Sequence, residues 1–184
     1  MGESVEREGA LDQLAAATRL AASGPEARLV LRVRPAGVAA ASSAFGVDLP
    51  TMPCRAERAG ACAALWLGPD EWLLLAPAAD EGCVAAALED GLAGHPHSLV
   101  TASHRQTAVV VDGARAAALL AIGCPLDLDL AAFPVGMCTR TLFAKAPIVL
   151  WRQGVARFRI EVWRSFAPYL WQVLDGGLRE GLAE

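Results

Sequence analysis

Ala64-Leu65-Trp66-Leu67-Gly68-Pro69-Asp70-Glu71-Trp72-Leu73-Leu74-Leu75-Ala76 reads as two strands joined by a turn. Gly68-Pro69-Asp70 carries the turn chemistry: proline presets the φ of a turn corner and aspartate bonds its own backbone. Both strands are apolar on both faces. A strand without a polar face is central in its sheet and is covered by helices or by a partner. Working outward, Asp80 is placed to cap a helix running to about Leu92, with Val84, Ala87, Leu88 and Leu92 on one face and Gly91 and Gly94 at its end. Ser98–Ala102 and Gln106–Val111 are two further strands around His104-Arg105. Upstream, Leu29, Leu31 and Val33 alternate with Val30, Arg32 and Arg34, and Pro35 ends this half-exposed strand. Residues 36–60 are rich in Gly, Pro, Ser and Ala without periodicity and read as a long irregular connection. Leu11–Ala22 has helical spacing but is alanine-rich and isolated, a weak helix or a mobile arm. The chain thus divides into an N-terminal arm, residues 1–28, and one domain, residues 29–184.

Downstream, Asp112 is placed to cap a helix over Ala114–Ile122, which stops at Gly123 with Pro125 just beyond. Leu126–Gly136 then reads as a shaped connection. Thr139–Lys145, Ile148–Arg152 and Val155–Trp163 are three successive strands, the last two turned at Gln153-Gly154. The final strand sends Phe158, Ile160 and Val162 inward and Arg157, Arg159 and Glu161 outward. Ser165 is placed to cap the last helix, whose apolar face is Phe166, Leu170, Val173 or Leu174, and Leu178. This order predicts an α+β protein with helices packed on one face of a mainly antiparallel sheet.

Of the 184 residues, 54% are hydrophobic and only 20% charged. Aliphatic surface beyond one small core asks for a second partner, so the composition leans toward a subunit. The net charge of −4 argues against nucleic acid as a partner, because phosphate binding needs a basic field. Lys145 is the only lysine among the cations; the arginine bias reflects either codon composition or guanidiniums serving an interface. No apolar run reaches the length of a membrane span, and the acidic start Met1–Glu8 is not a signal peptide. Five cysteines, 54, 62, 83, 124 and 138, form neither a disulfide framework nor a zinc spacing, which fits reduced thiols in a cytoplasmic protein.

Candidate chemistry is sparse. His95-Pro96-His97 offers two imidazoles in a loop without an accompanying carboxylate or thiolate, short of a metal site. Ser103 and His104 point to opposite faces if extended, so they do not pair as nucleophile and base there. Asp127 pins its loop through backbone N–H groups. Arg105, Arg140 and Arg164 either hold a carboxylate ligand or pair with Asp127, Asp129 or Glu161 as structural or intersubunit ties. Among five tryptophans, Trp163 falls on the polar face of its strand and Trp171 off the main stripe of its helix, as anchors of a protein interface do.

Ala64–Leu75, Ser103-His104-Arg105, Gly123-Cys124-Pro125-Leu126-Asp127-Leu128, Phe133-Pro134-Val135-Gly136, Arg140-Thr141 and Arg164-Ser165-Phe166 occur in one order and spacing. From about residue 60 onward the chain resembles the gamma subunit of heterotetrameric sarcosine oxidase. The resemblance implies a fold similar to part of the folate-binding aminomethyltransferase fold. It implies a complex that oxidatively demethylates sarcosine to glycine, tetrahydrofolate taking the one-carbon unit and oxygen yielding peroxide. FAD, FMN and NAD would belong to the large alpha and beta flavoprotein subunits and zinc to the small delta subunit. No catalytic, cofactor-binding or metal-binding residue is carried over to this chain. What remains for it is assembly, with Arg105, Arg140, Trp163, Arg164 and Trp171 as candidate interface or structural ties. The alternatives are a gamma-type subunit of a related N-methyl amino acid oxidase or dehydrogenase, a stand-alone folate or aminomethyltransferase-like binding protein, and a small module holding an acid on its arginines.

Overall fold

The computed structural model describes residues 18–183. Its strands are β1 (Arg19–Ala22), β2 (Glu26–Val33), β3 (Ala56–Ala59), β4 (Cys62–Gly68), β5 (Glu71–Pro77), β6 (His97–Thr101), β7 (Gln106–Asp112), β8 (Cys138–Phe143), β9 (Ala146–Gly154) and β10 (Arg157–Trp163). The α-helices are α1 (Val38–Phe45), α2 (Glu81–Gly91), α3 (Ala116–Ala121) and α4 (Ala167–Ala183). The strands form two five-stranded antiparallel sheets, ordered β3-β4-β5-β2-β6 and β1-β7-β10-β9-β8.

The opening hairpin is β4–β5, central in the first sheet. Trp66 lies opposite Trp72, and the ladder shifts by one residue before Gly68 meets Glu71 across Pro69-Asp70. One face of this sheet, with Leu29, Leu31, Trp72 and Leu74, packs on Ala41, Phe45, Leu88 and Leu92 of α1, α2 and the residue after it. The other, with Leu65, Leu73 and Leu75, packs on Cys138, Val149 and Trp151 of the second sheet. The far face of the second sheet, including Val109, Leu150, Phe158 and Ile160, is covered by Leu119, Leu120, Leu170 and Leu174 from α3 and α4. The architecture is therefore four layers, helix–sheet–sheet–helix, with three apolar seams.

The α+β class and the antiparallel pairing agree with the sequence reading, but the strands divide between two sheets, each with helices on its outer face. The division arises at Ala102–Arg105. Ala102 donates its N–H to the Arg28 carbonyl at 2.6 Å, after which the chain crosses to start β7 in the other sheet. Arg159 and Glu161, read as outward, are consequently only 6% and 1% exposed: the polar side of β10 faces the first sheet, not water. Arg19–Ala22, read as the end of a helix, pairs with Val109–Asp112 as strand β1; the rest of that reading, and of the expected arm up to residue 17, lies outside the described residues. Residues 19–22 and 26–28, placed with the arm, belong to the two sheets.

Other local readings are corrected in the same way. The segment 36–60 contains α1, whose alanine-rich turns showed no apolar stripe but bury Ala41 and Phe45. Asp80 precedes α2 without a side-chain cap bond. Asp112 ends β7 and pairs with Arg157 at 2.5 Å, while α3 starts later, after Arg115. Gln153 and Gly154 remain in β9, and Val155-Ala156 make the turn. Ser165 lies in the turn before α4, which begins at Ala167.

Candidate functional site

The seam between the sheets is apolar at its centre and ionic toward one side. Strand alternation sends Arg28 from β2 and Arg159 and Glu161 from β10 into it. Arg28 Nε donates to Glu161 at 2.7 Å, Arg159 Nη2 to the other Glu161 oxygen at 2.6 Å, and both guanidiniums reach Glu26. Two cations and two carboxylates balance. Burial raises the Glu26 carboxyl, but the hydrogen bond and charge of Arg159, with Ser23 and Arg28, hold it below its ordinary value. Breaking one partner of such a set leaves a buried charge uncompensated, so the set fixes how the sheets face each other.

On the other side the sheets part into a groove of about 430 Å³. Arg105, Arg140 and Trp163, three of the five residues singled out from sequence, line it together with Val100 and Gln106. Trp163 is 45% exposed and Val100 50%. Arg105 sits 5.8 Å from the Trp163 ring centroid, a cation–π contact. Arg140 pairs with Glu71, which also receives Arg32 Nη2 at 2.6 Å. Burial acts to raise the Glu71 carboxyl, yet the bonds from Arg140 and Arg32 hold it below the usual range. The Oε1 atom of Gln106 is buried without a hydrogen-bond partner.

The remaining two candidates lie elsewhere. Arg164 lines a larger cleft of about 710 Å³ with Glu81, Ser103 and His104. Trp171, 36% exposed, sits on α4. None of the three arginines pairs with Asp127, Asp129 or Glu161, the expected partners; Asp127 and Asp129 instead accept the backbone N–H groups of Asp129 and Ala131 at 2.9 and 2.8 Å. That is the loop-pinning role read for Asp127. Ser103 accepts the Arg28 N–H at 2.8 Å and donates to Glu81, so it ties the crossover to β2 and α2. His97 is spanned between the His95 carbonyl at 2.8 Å and Glu89 at 3.1 Å. Among the described residues no three His, Cys, Asp or Glu side chains cluster as metal ligands.

The Leu126–Gly136 connection is shaped by a residue that motif reading passed over. Arg152, 4% exposed, donates to the carbonyls of Leu128 at 3.0 Å, Phe133 at 2.7 Å and Val155 at 2.6 Å, and lies 4.7 Å from the Phe158 ring centroid. Burial pushes its guanidinium below the ordinary value and Asp129 opposes this. At the other end of the motif a Cβ on Gly123 would lie 3.0 Å from the Phe143 ring and 3.1 Å from the Ala144 nitrogen. Ala144 N–H in turn bonds the Gly123 carbonyl at 2.7 Å, so the helix stop doubles as the seat of the β8–β9 turn.

A two-sheet α+β body of this connectivity is a fold held in common with much larger proteins. It superposes on the glycine cleavage system aminomethyltransferase T of Bartonella henselae with a TM-score of 0.66 at 17% identity, over 89% of this chain and 48% of that one, a likeness of fold alone. Closer kinship is specific. The chain belongs to the sarcosine oxidase, gamma subunit family, which matches residues 32–180. It is 39% identical to the sarcosine oxidase subunit gamma of an Arthrobacter species over 123 residues, 65% of this chain and 58% of that one. It superposes on a chain of the heterotetrameric sarcosine oxidase from Corynebacterium sp. U-96 with a TM-score of 0.85 at 30% identity, covering 91% of this chain and 86% of that chain. Among the described residues no helix is long and apolar enough to cross a membrane.

Proposed function

We propose that this chain is a non-catalytic assembly subunit of a heterotetrameric sarcosine oxidase. Its partners are the large flavoprotein subunits, which carry FAD, FMN and NAD, and the small zinc subunit, and the complex works in the cytoplasm. The observation that carries this reading is the inter-sheet groove in a member of the gamma subunit family. There an exposed tryptophan and two arginines sit beside apolar side chains of both sheets, the composition of a protein–protein anchor. Arg140, held against Glu71, is preset, so docking need not order it from scratch. The experiment is co-expression with the large flavoprotein subunits and purification through a tag on the latter. The expected result is stoichiometric recovery of this chain with flavin-coloured protein. A monodisperse chain that never accompanies the flavoproteins overturns the proposal. Trp163→Ala is expected to weaken assembly by about 2 kcal/mol, the scale of an interface anchor, while shifting thermal unfolding of the free chain little; equal losses in both would remove the interface role.

A further inference from the structure

Building on the assembly role just proposed, we infer that the free edge of β6 receives an extended segment of a partner subunit, with an apolar side chain between Val100 and Trp163 and a carboxylate on Arg105. Among the described residues strand β6 ends its sheet and pairs only with β2. Edge strands are normally blunted by charge or proline. The other sheet edges carry such charge: Arg19 on β1, Glu57 and Arg58 on β3, Arg140 on β8. His97-Ser98-Leu99-Val100-Thr101 carries neither proline nor any Asp, Glu, Lys or Arg. The hydrogen-bonding phase shows which groups are open. Ala102 N–H bonds the Arg28 carbonyl, and pairs in an antiparallel ladder alternate, so Val100 and Ser98 turn their amides to β2. Leu99 and Thr101 therefore turn theirs to the open edge.

The side chains beside that edge specify the occupant. Val100 lies opposite Val30 and so faces the inter-sheet groove; Trp163 lies opposite Gln106 on the facing sheet. An added strand alternates its side chains, so every second one enters the groove between them. Among the described residues no carboxylate lies within ion-pair distance of Arg105. Stacked on Trp163, it is positioned for an incoming acidic residue. The buried Gln106 Oε1 lacks the donor that such a segment can bring. A second copy of β6 fits worse, because it brings no carboxylate to Arg105.

The test is hydrogen exchange on the co-expressed complex and on the free full-length chain, with Thr101→Pro and Arg105→Glu as variants and Val155→Lys, at an exposed turn, as control. Thr101→Pro deletes an outward amide and spares the β2 ladder; Arg105→Glu reverses an exposed charge and removes its contact with the Trp163 ring. Expected are amides of Leu99 and Thr101 exchanging at least about tenfold more slowly in the complex, and association weakened about tenfold or more in both variants but not in the control, a change of about 1.4 kcal/mol. A complex that forms while those amides exchange as in the free chain, or in which Thr101→Pro associates like the parent, overturns the inference and leaves the assembly role standing. A chain that joins no flavoprotein complex, or that dimerises through β6 alone, overturns it as well, the former together with the assembly role.

Discussion

Replacing Arg152 by methionine should destabilise the fold far more than removal of a surface charge. Methionine keeps much of the volume against Phe158 but supplies no donor. Three carbonyls bonded at 3.0 Å or less then lose their partner, Leu128 and Phe133 in the shaped connection and Val155 in the turn, besides a longer bond to Gly154 at 3.4 Å. Leaving a buried acceptor unsatisfied costs about 1–3 kcal/mol each. Relief of the charge's own burial offsets part of this, since an uncompensated cation inside a fold is itself unfavourable. If two of the three acceptors stay dry, the net loss is about 2–4 kcal/mol. For a chain of this length that corresponds to a Tm lower by about 4–16 °C. Urea unfolding of parent, Arg152→Met and Arg152→Lys measures it directly, with Arg152→Lys intermediate because an ammonium cannot span carbonyls on three sides. Exchange at Asp129–Gly136 should quicken in parallel. A loss below about 1 kcal/mol for Arg152→Met, with unchanged exchange in that loop, would refute the claim that this one guanidinium shapes the connection.

Further outcomes follow from other contacts. A Cβ on Gly177 would meet only the terminal methyls of Ile122 at 2.6 Å and Leu119 at 2.9 Å, which can swing aside, so Gly177→Ala should stay within about 1 kcal/mol of the parent, whereas Gly176→Ala, with open space around it, should be neutral or stabilise by up to about 1 kcal/mol in the same thermal scans. Burial, with Cys54 nearby, pushes the Cys138 thiol up to about 12, so at pH 8 a thiol reagent should modify exposed Cys83 and spare Cys138, as mass spectrometry of the labelled native chain would show. The same shift means the unfolded thiol ionises first as pH rises from about 9 toward 12, so this group's contribution to stability declines across that window. Glu26 and Glu71 run the other way. Their folded-state values lie below the ordinary 4.5, so the stability they confer is present above it and is lost as pH falls below it; Glu71→Gln should flatten that acid limb in unfolding titrations.

How much of this was legible in the sequence depended on whether a signal was local. The β4–β5 hairpin could be read because its turn residues and doubly apolar strands lie within thirteen positions. Helix α1 could not, because alanine marks no face until Phe45 and Ala41 meet the sheet. The two-sheet division was invisible for a topological reason: β6 and β7 are separated by four residues, as hairpin strands are, yet they leave in different sheets. That error propagated to the site. With one sheet, Arg159 and Glu161 face water; with two, they face Arg28 and Glu26 across a seam.

The exposed members of the site were easier to find than the buried ones, and the reason is physical. Trp163 and Arg105 stand out because an exposed tryptophan on a polar strand face breaks the local pattern, and such breaks are where a surface does work beyond folding. Arg28, Glu71 and Arg152 break no pattern visible along the chain. Arg28 falls in the expected arm, Glu71 beside the turn of a doubly apolar hairpin and Arg152 at the end of a strand, and none stands out until a second layer is laid over it. Their partners lie 133, 69 and up to 24 residues away for Glu161, Arg140 and the Leu128 carbonyl. The polar seam and the groove thus belong to one inter-sheet layer: where the sheets close, Arg28, Arg159, Glu26 and Glu161 pair internally; where they part, Arg140 pairs with Glu71, while among the described residues Arg105 has no carboxylate and Gln106 Oε1 no donor.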